Sequence, residues 1–388
     1  MGVTLLVAGL TDVGIVRTNN EDAFVVADLD RDAKVDVAKA TEFDVKEKGM
    51  LLAVSDGMGG EAAGEVASGL VIETLRRVLA TAAPSDEASN SGIAKAVEHA
   101  VTRANEAVWK EAKNPDKKGM GATLTAVYVQ GDTAYIAEVG DSRAYLVRGS
   151  RIRQMTKDQS FVQLLLDSGA LTKEEAEAYP HKNIILQAMG QQEKVSVALG
   201  KLALRRSDRL LICSDGLSNK VTPEEMKEAF LSGEPLDVIC KKLVDLANAR
   251  GGEDNCTVIL AQAEGQGLSP FRDAERVTQT FEVVKEGPGG LPDDEKKIKK
   301  RPGELSPKPA VVAAAPAEAK EGKPEELTAE ATAMPEPEEE KDEDDDDKPL
   351  PEPKPPTEEE LKSRPQQMIV AIAMILVMLG VFYYILKD

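Results

Sequence analysis

Leu51-Leu52-Ala53-Val54-Ser55-Asp56-Gly57 is an apolar run that stops on an acid and a glycine, and Leu210-Leu211-Ile212-Cys213-Ser214-Asp215-Gly216 repeats the pattern far along the chain. Each reads as a buried strand that delivers a carboxylate to its end. A third run, Ala134-Tyr135-Ile136-Ala137-Glu138-Val139, stops at Gly140-Asp141, and Gly251-Gly252-Glu253-Asp254-Asn255 stands before a fourth, Cys256-Thr257-Val258-Ile259-Leu260. One Asp-Gly pair is ordinarily a turn. Acids at four strand ends point instead to convergence on a hard cation.

Between the first two runs the apolar spacing turns helical. Ala63, Ala67, Leu70, Val71, Thr74, Leu75 and Val78 share one face, as do Ile93, Val97, Ala100, Val101, Ala104 and Val108, with a loop expected over residues 84–92. Ala122–Val129, Thr133–Val139 and Ala144–Val147 then read as an antiparallel meander. Thr222-Pro223-Glu224-Glu225 combines a capping box with proline at the first helical position, so a helix starts there. Ile239, Leu243 and Leu246 give a later helix its face. Strands clustered between helix pairs, without β-α alternation, predict an α+β layered domain rather than a parallel doubly wound sheet. Gly57-x-Gly59-x-x-Ala62 has the outline of a dinucleotide fingerprint, but Asp56 at its mouth would repel a pyrophosphate.

The composition changes near residue 265. Residues 1–265 carry 31 Lys and Arg against 40 Asp and Glu, and residues 266–388 carry 17 against 28, within a net charge of −20. Neither part has the basic surface that nucleic acid requires. Fifteen of the 21 prolines lie between Pro288 and Pro365, among Ala, Glu, Lys and the acidic run Asp342–Asp347. Such a stretch buries too little apolar surface to offset its ordering entropy, so 266–367 reads as a disordered acidic linker. Residues 368–386 are 19 positions without a charge, enough at about 1.5 Å per residue to span a hydrocarbon core near 30 Å. With no export signal at Met1–Leu6, the expectation is a tail-anchored protein whose domain, residues 1–265, faces the cytoplasm. Cys213, Cys240 and Cys256 show no paired spacing and read as buried, reduced thiols. Asn219 stands where a cysteine-nucleophile phosphatase loop needs Arg. Of the two histidines, His99 is expected on a solvated helix face and His181 in a flap.

In order the chain reads Arg17…Glu21-Asp22, Asp56-Gly57-Met58-Gly59-Gly60, Gly121-Ala122-Thr123, Gly140-Asp141-Ser142-Arg143, Ser214-Asp215-Gly216 and Gly252-Glu253-Asp254-Asn255. Over about residues 5–263 this resembles the metal-dependent protein phosphatases of the PP2C type, in their compact bacterial form. The resemblance implies a four-layer α-β-β-α sandwich of two antiparallel sheets flanked by helices, with metals at one end. It implies that Asp56 bridges two ions, that Glu21 and the Gly57 carbonyl hold one, and that Asp215 and Asp254 hold the other. Asp22 acts through waters, Asp141 marks a third, weaker position, and Arg17 grips the substrate phosphate.

All-oxygen ligands suit Mn2+ or Mg2+, whereas zinc recruits His or Cys. Two ions about 3.5–4 Å apart make a shared water nucleophilic near neutral pH. The implied function is removal of phosphate from phosphoserine and phosphothreonine in cytoplasmic proteins, opposing a serine/threonine kinase. The second reading is a catalytically silent, membrane-tethered phosphoprotein-binding module. The chain departs from the family at Met58, where eukaryotic members carry a histidine acid, leaving the leaving-group proton to a water held by Asp141. Gln159 stands where the family commonly has His, and Gln187 where it has Arg.

Overall fold

The computed structural model describes residues 2–287 apart from 60–62, 82–89, 178, 180–182 and 273–274. The strands are β1 (Val3–Asp12), β2 (Asp22–Asp28), β3 (Ala33–Lys34), β4 (Thr41–Val45), β5 (Met50–Met58), β6 (Gly121–Ala122), β7 (Leu124–Gln130), β8 (Thr133–Val139), β9 (Arg143–Arg148), β10 (Arg151–Gln154), β11 (Ala198–Ala203), β12 (Arg209–Cys213), β13 (Cys256–Glu264) and β14 (Phe281–Lys285). The helices are α1 (Ala63–Thr81), α2 (Asn90–Glu111), α3 (Phe161–Asp167), α4 (Lys173–Glu177), α5 (Asp215–Ser218), α6 (Pro223–Leu231) and α7 (Leu236–Ala249). One sheet runs β10-β9-β12-β13-β1-β4, the other β14-β11-β8-β7-β5-β2-β3 with β6 beside β5. The paired strands are all antiparallel, which removes the dinucleotide-binding outline at Gly57.

Alternation along β5 shows how the layers form. Leu52 and Val54 point into the space between the sheets, where they meet Leu5, Val7, Ile136 and Ile259. Leu51 and Ala53 point the other way, onto Val71, Leu75, Val97 and Val101 of α1 and α2. On the far sheet Leu211 and Val258 turn outward onto Met226, Phe230, Ile239 and Leu243 of α6 and α7. Met50–Val54 of β5 is apolar at every position because both of its faces are covered. Each buried Leu or Ile contributes roughly 1.5–3 kcal/mol. The sandwich expected from the motifs is therefore present, helix layers included. The capping box also forms: Thr222 Oγ1 accepts from Glu225 N at 3.4 Å and the Glu225 carboxylate accepts from Thr222 N at 2.9 Å.

The boundary expected after residue 265 needs correction. Leu268 is buried and β14 pairs with β11, so residues packed onto the domain lie beyond 265. The physical reason is local: Phe281-Glu282-Val283-Val284-Lys285 is a short β-prone stretch, and averaging it with the proline-rich tail hides it. The linker from 288, the acidic run, the 368–386 span, most of the 84–92 loop and His181 lie outside the described residues. Among the described residues no helix is long and apolar enough to cross a membrane. The three cysteines are free and buried, and burial pushes the Cys213 and Cys240 thiols up to about 12, so neither offers a thiolate at neutral pH.

Candidate metal centre

The acids sit where strands of both sheets end at one edge of the sandwich. Asp22 opens β2 directly opposite Asp56 near the end of β5. Asp215 follows β12 by one residue, Asp254 precedes β13, and Asp141 follows β8. Two glycines let the chain close up here. A Cβ on Gly57 would collide with the carbonyl oxygen of Gly64, and one on Gly216 with that of Asn255. Gly57 N instead donates to Glu21 O at 3.1 Å.

Hydroxyls and amides behind the acids hold them in place. Asp22 Oδ2 accepts from Thr257 Oγ1 at 2.6 Å and Ser214 Oγ at 2.8 Å. Asp56 N donates to Thr123 Oγ1 at 2.9 Å, and that hydroxyl lies 2.7 Å from Ser142 Oγ. The Gly121-Ala122-Thr123 and Gly140-Asp141-Ser142 blocks thus meet behind Asp56 and buttress it. Asn255 Oδ1 accepts from Glu21 N at 2.7 Å, while its Nδ2 donates to Val13 O and Asn19 O, each at 2.9 Å. Sequence reading missed Ser214, Thr257 and Thr123 as supports. They lie beside the acids in the motifs, but nothing local says which acid each one serves.

The carboxyls lie close enough to perturb one another. Asp56 is pushed well above the ordinary range by burial first, then by Asp22, Asp215, Asp141 and Asp254. Asp141 and Asp215 are raised by burial and then by Asp215 and Asp254 respectively, although an Asp56–Asp215 hydrogen bond and nearby Arg143 pull Asp215 down. Burial also raises Glu21, against Arg17, with Asp254 and Glu65 adding to the rise. The five aspartates therefore share one field, and Glu21 joins it through Asp254. Among the described residues, no three acids close on one point as a finished ligand set. The cluster nonetheless fits hard cations: Asp22 Oδ1 and Asp215 Oδ1 are buried without a hydrogen-bond partner, in an all-oxygen donor set.

Arg17 is engaged with an acid. Its Nη2 lies 3.0 Å from Asp254 Oδ2, and the two side chains are 49% and 36% exposed. A pair this exposed holds weakly. Beside the acids opens a cavity of about 620 Å3, bordered by Asp141, Asp215, Arg143, Asp158, Lys173 and Asn219. Arg143 is not free there, since it binds Asp158 through Nε at 2.9 Å and Nη2 at 2.6 Å.

Asp22 makes a pH test possible. Burial, opposed by its two hydroxyl donors, pushes it up to about 7 from 3.8. Between those values the native state holds a proton that the unfolded chain has lost. Its stabilising contribution is complete below pH 3.8 and disappears as the pH rises through about 7. Chelator-treated protein should accordingly melt at least about 3 °C higher at pH 6 than at pH 8, and saturating Mn2+ should reduce or reverse that difference. A metal-free melting temperature that rises from pH 6 to 8 would contradict the electrostatics described.

Residues 36–234 match the family model described as protein phosphatase 2C. The chain is 39% identical over 262 residues to the serine/threonine protein phosphatase PstP of Mycobacterium tuberculosis, a match covering 67% of this chain and 45% of that protein. It therefore spans about half the length of that relative. It is 37% identical over 254 residues to the serine/threonine phosphatase stp of Listeria innocua, covering 65% of this chain and 93% of the other. Among solved structures, the PstP catalytic domain in complex with two manganese ions superposes with a TM-score of 0.55 at 35% identity, covering 68% of this chain and all of that one.

Proposed function

Because this chain belongs to the protein phosphatase 2C family, we propose that it hydrolyses phosphoserine and phosphothreonine in proteins with the help of two divalent cations, Mn2+ or Mg2+. The observation that carries the reading is the convergent set Asp22, Asp56, Asp141, Asp215 and Asp254: burial and neighbouring carboxylates raise the first four, and Asp22 and Asp215 each keep one buried oxygen without a partner. Asp56 would stand between the ions, with Glu21 and the Gly57 carbonyl on one side and Asp215 and Asp254 on the other. Asp22 has one oxygen committed to Ser214 and Thr257 and only Oδ1 left to serve the site. When bound, the cations supply Lewis acidity that makes water a nucleophile at neutral pH and screens phosphoryl charge.

Arg17 would leave Asp254 for the phosphoryl oxygens, pairing with them through its planar fork. Met58 has no proton to give, so protonation of the departing serine or threonine oxygen falls to the Asp141 side of the site. A silent binding module would be expected to have lost metal carboxylates, and all are present. The uncharged run 368–386, outside the described residues, is long enough for a single membrane span, and the domain would act on cytoplasmic phosphoproteins made by a serine/threonine kinase. No nucleic acid is implied.

The test is Mn2+-dependent phosphate release from phosphoserine, phosphothreonine and phosphotyrosine peptides by the full chain. Release from the first two, abolished by chelator and lowered at least about 100-fold by Asp215→Asn, is expected. Equal, metal-independent rates in the two proteins would overturn the enzymatic reading.

A further inference from the structure

Two of the three positions at which the motifs depart from the family, Gln159 and Gln187, touch one another. Gln187 Nε2 donates to Gln159 Oε1 at 3.0 Å and to Ser196 O at 2.7 Å. Gln159 is fully buried. Its Oε1 also accepts from Gly140 N at 3.0 Å, and its own backbone N donates to Gly140 O at 2.8 Å. Both backbone groups of the residue immediately before Asp141 are thus fixed by one glutamine.

The chain returns to this glutamine from its far end. After β13 it crosses the end of the sandwich with Leu268 buried and Ser269 O accepting from Arg206 N at 3.0 Å. Glu275 binds Arg205 through both oxygens, at 2.6 Å and 3.0 Å. Thr280 Oγ1 accepts from Arg148 at 2.7 Å, and β14 then lies along β11, with Lys201 and Glu282 paired at 2.9 Å and Lys285 paired with Glu98 of α2. Gly287 ends the described segment against Gln159: a Cβ there would sit 3.1 Å from Gln159 Nε2 and 3.0 Å from Ala198 N. This stretch lies C-terminal to every motif residue of the site and is the point from which residues 288–388 continue.

We propose that the described residues of this stretch, 268–272 and 275–287, act as a strap that positions the Gly140–Asp141 turn through the buried amide of Gln159. Gln159 is a positioning residue, acting on the site only through that turn, and the strap decides whether its amide stays seated. Displacing the strap end frees the turn and weakens cation uptake on the Asp141 side. The last consequence rests on the phosphatase reading, whereas the coupling of strap to turn does not.

The experiment uses the full chain carrying Gly287→Val, which crowds Gln159, and separately Glu275→Gln, which loosens the strap at its other anchor. In chelator-treated protein the Gly140 amide should exchange about five- to tenfold faster in both, the effect of losing one buried hydrogen bond, with the melting temperature within about 2 °C of wild type. The Mn2+ concentration for half-maximal hydrolysis of p-nitrophenyl phosphate should rise several-fold while KM for that substrate holds. Wild-type exchange at Gly140 in Gly287→Val, or faster exchange only in step with a lower melting temperature, overturns the strap. Because exchange is read without turnover, an inactive wild-type protein would sink the phosphatase reading and leave this test intact.

Discussion

Asp56→Asn should lower Mn2+-dependent hydrolysis of p-nitrophenyl phosphate by about 1,000-fold or more while leaving the metal-free protein as stable as wild type or more so. Both halves follow from where the side chain sits. Asp56 is fixed by its backbone, with its N donating to Thr123 Oγ1 at 2.9 Å and its O accepting from Thr123 N at 2.8 Å. Asparagine would occupy the same place without rearrangement. What disappears is the charge that would stand between two cations, and with it the reason for either to bind. That same charge is a burden in the metal-free protein, because burial and four neighbouring aspartates all oppose it. The measurement is a rate with saturating Mn2+ beside a thermal scan in chelator. A rate within about tenfold of wild type, or a large loss of metal-free stability, would show that Asp56 supports the fold rather than the cations.

Arg148→Ala should destabilise the domain by about 3–5 kcal/mol, the largest stability effect expected from one side chain outside the hydrophobic core. Arg148 and Asp208 are each about 1% exposed and meet at 2.6 Å. Arg148 also donates to Ala203 O at 3.0 Å and to Thr280 Oγ1 at 2.7 Å, so it joins β9, the end of β11 and the strap. Burial still pushes the Asp208 carboxyl up, although Arg148 and Arg205 pull it down. The pair is therefore costly to break without being strongly stabilising in itself. Among the described residues, alanine would leave buried Asp208 with the Arg205 amide, 2.8 Å away, as its one remaining close donor. Replacing both partners, as Arg148→Met with Asp208→Leu, should recover much of the loss. Urea unfolding checks the pair. A loss below about 1 kcal/mol for Arg148→Ala would contradict the burial argument.

The layers were legible because their cause is local. Leu51 and Leu52 are neighbours of equal hydrophobicity, and only a strand covered on both faces has use for both. The Thr222–Glu225 box announced α6 for the same reason: cap and donor are three residues apart. The acids were readable as strand ends, and the structure brings Asp22, Asp56, Asp141, Asp215 and Asp254 into one field.

Less visible were the groups that hold those acids. Ser214 and Thr257 reach Asp22 across 192 and 235 positions of sequence, and no periodicity or spacing encodes such a contact. Arg17 with Asp254 is a pair of the same kind. The strap escaped because β14 is five residues long and stands before the proline-rich, acidic stretch 288–367. Composition, which is reliable for long segments, hides what buried Leu268 and the pairing of β14 with β11 add beyond residue 265.

Crystals of the full chain grown with Mn2+ and measured at the manganese absorption edge would test the central claim most directly. Two anomalous peaks about 3.5–4 Å apart are expected, with Asp56 between them and Asp215 and Asp254 beside one. A map with no manganese in contact with Asp56 would contradict it.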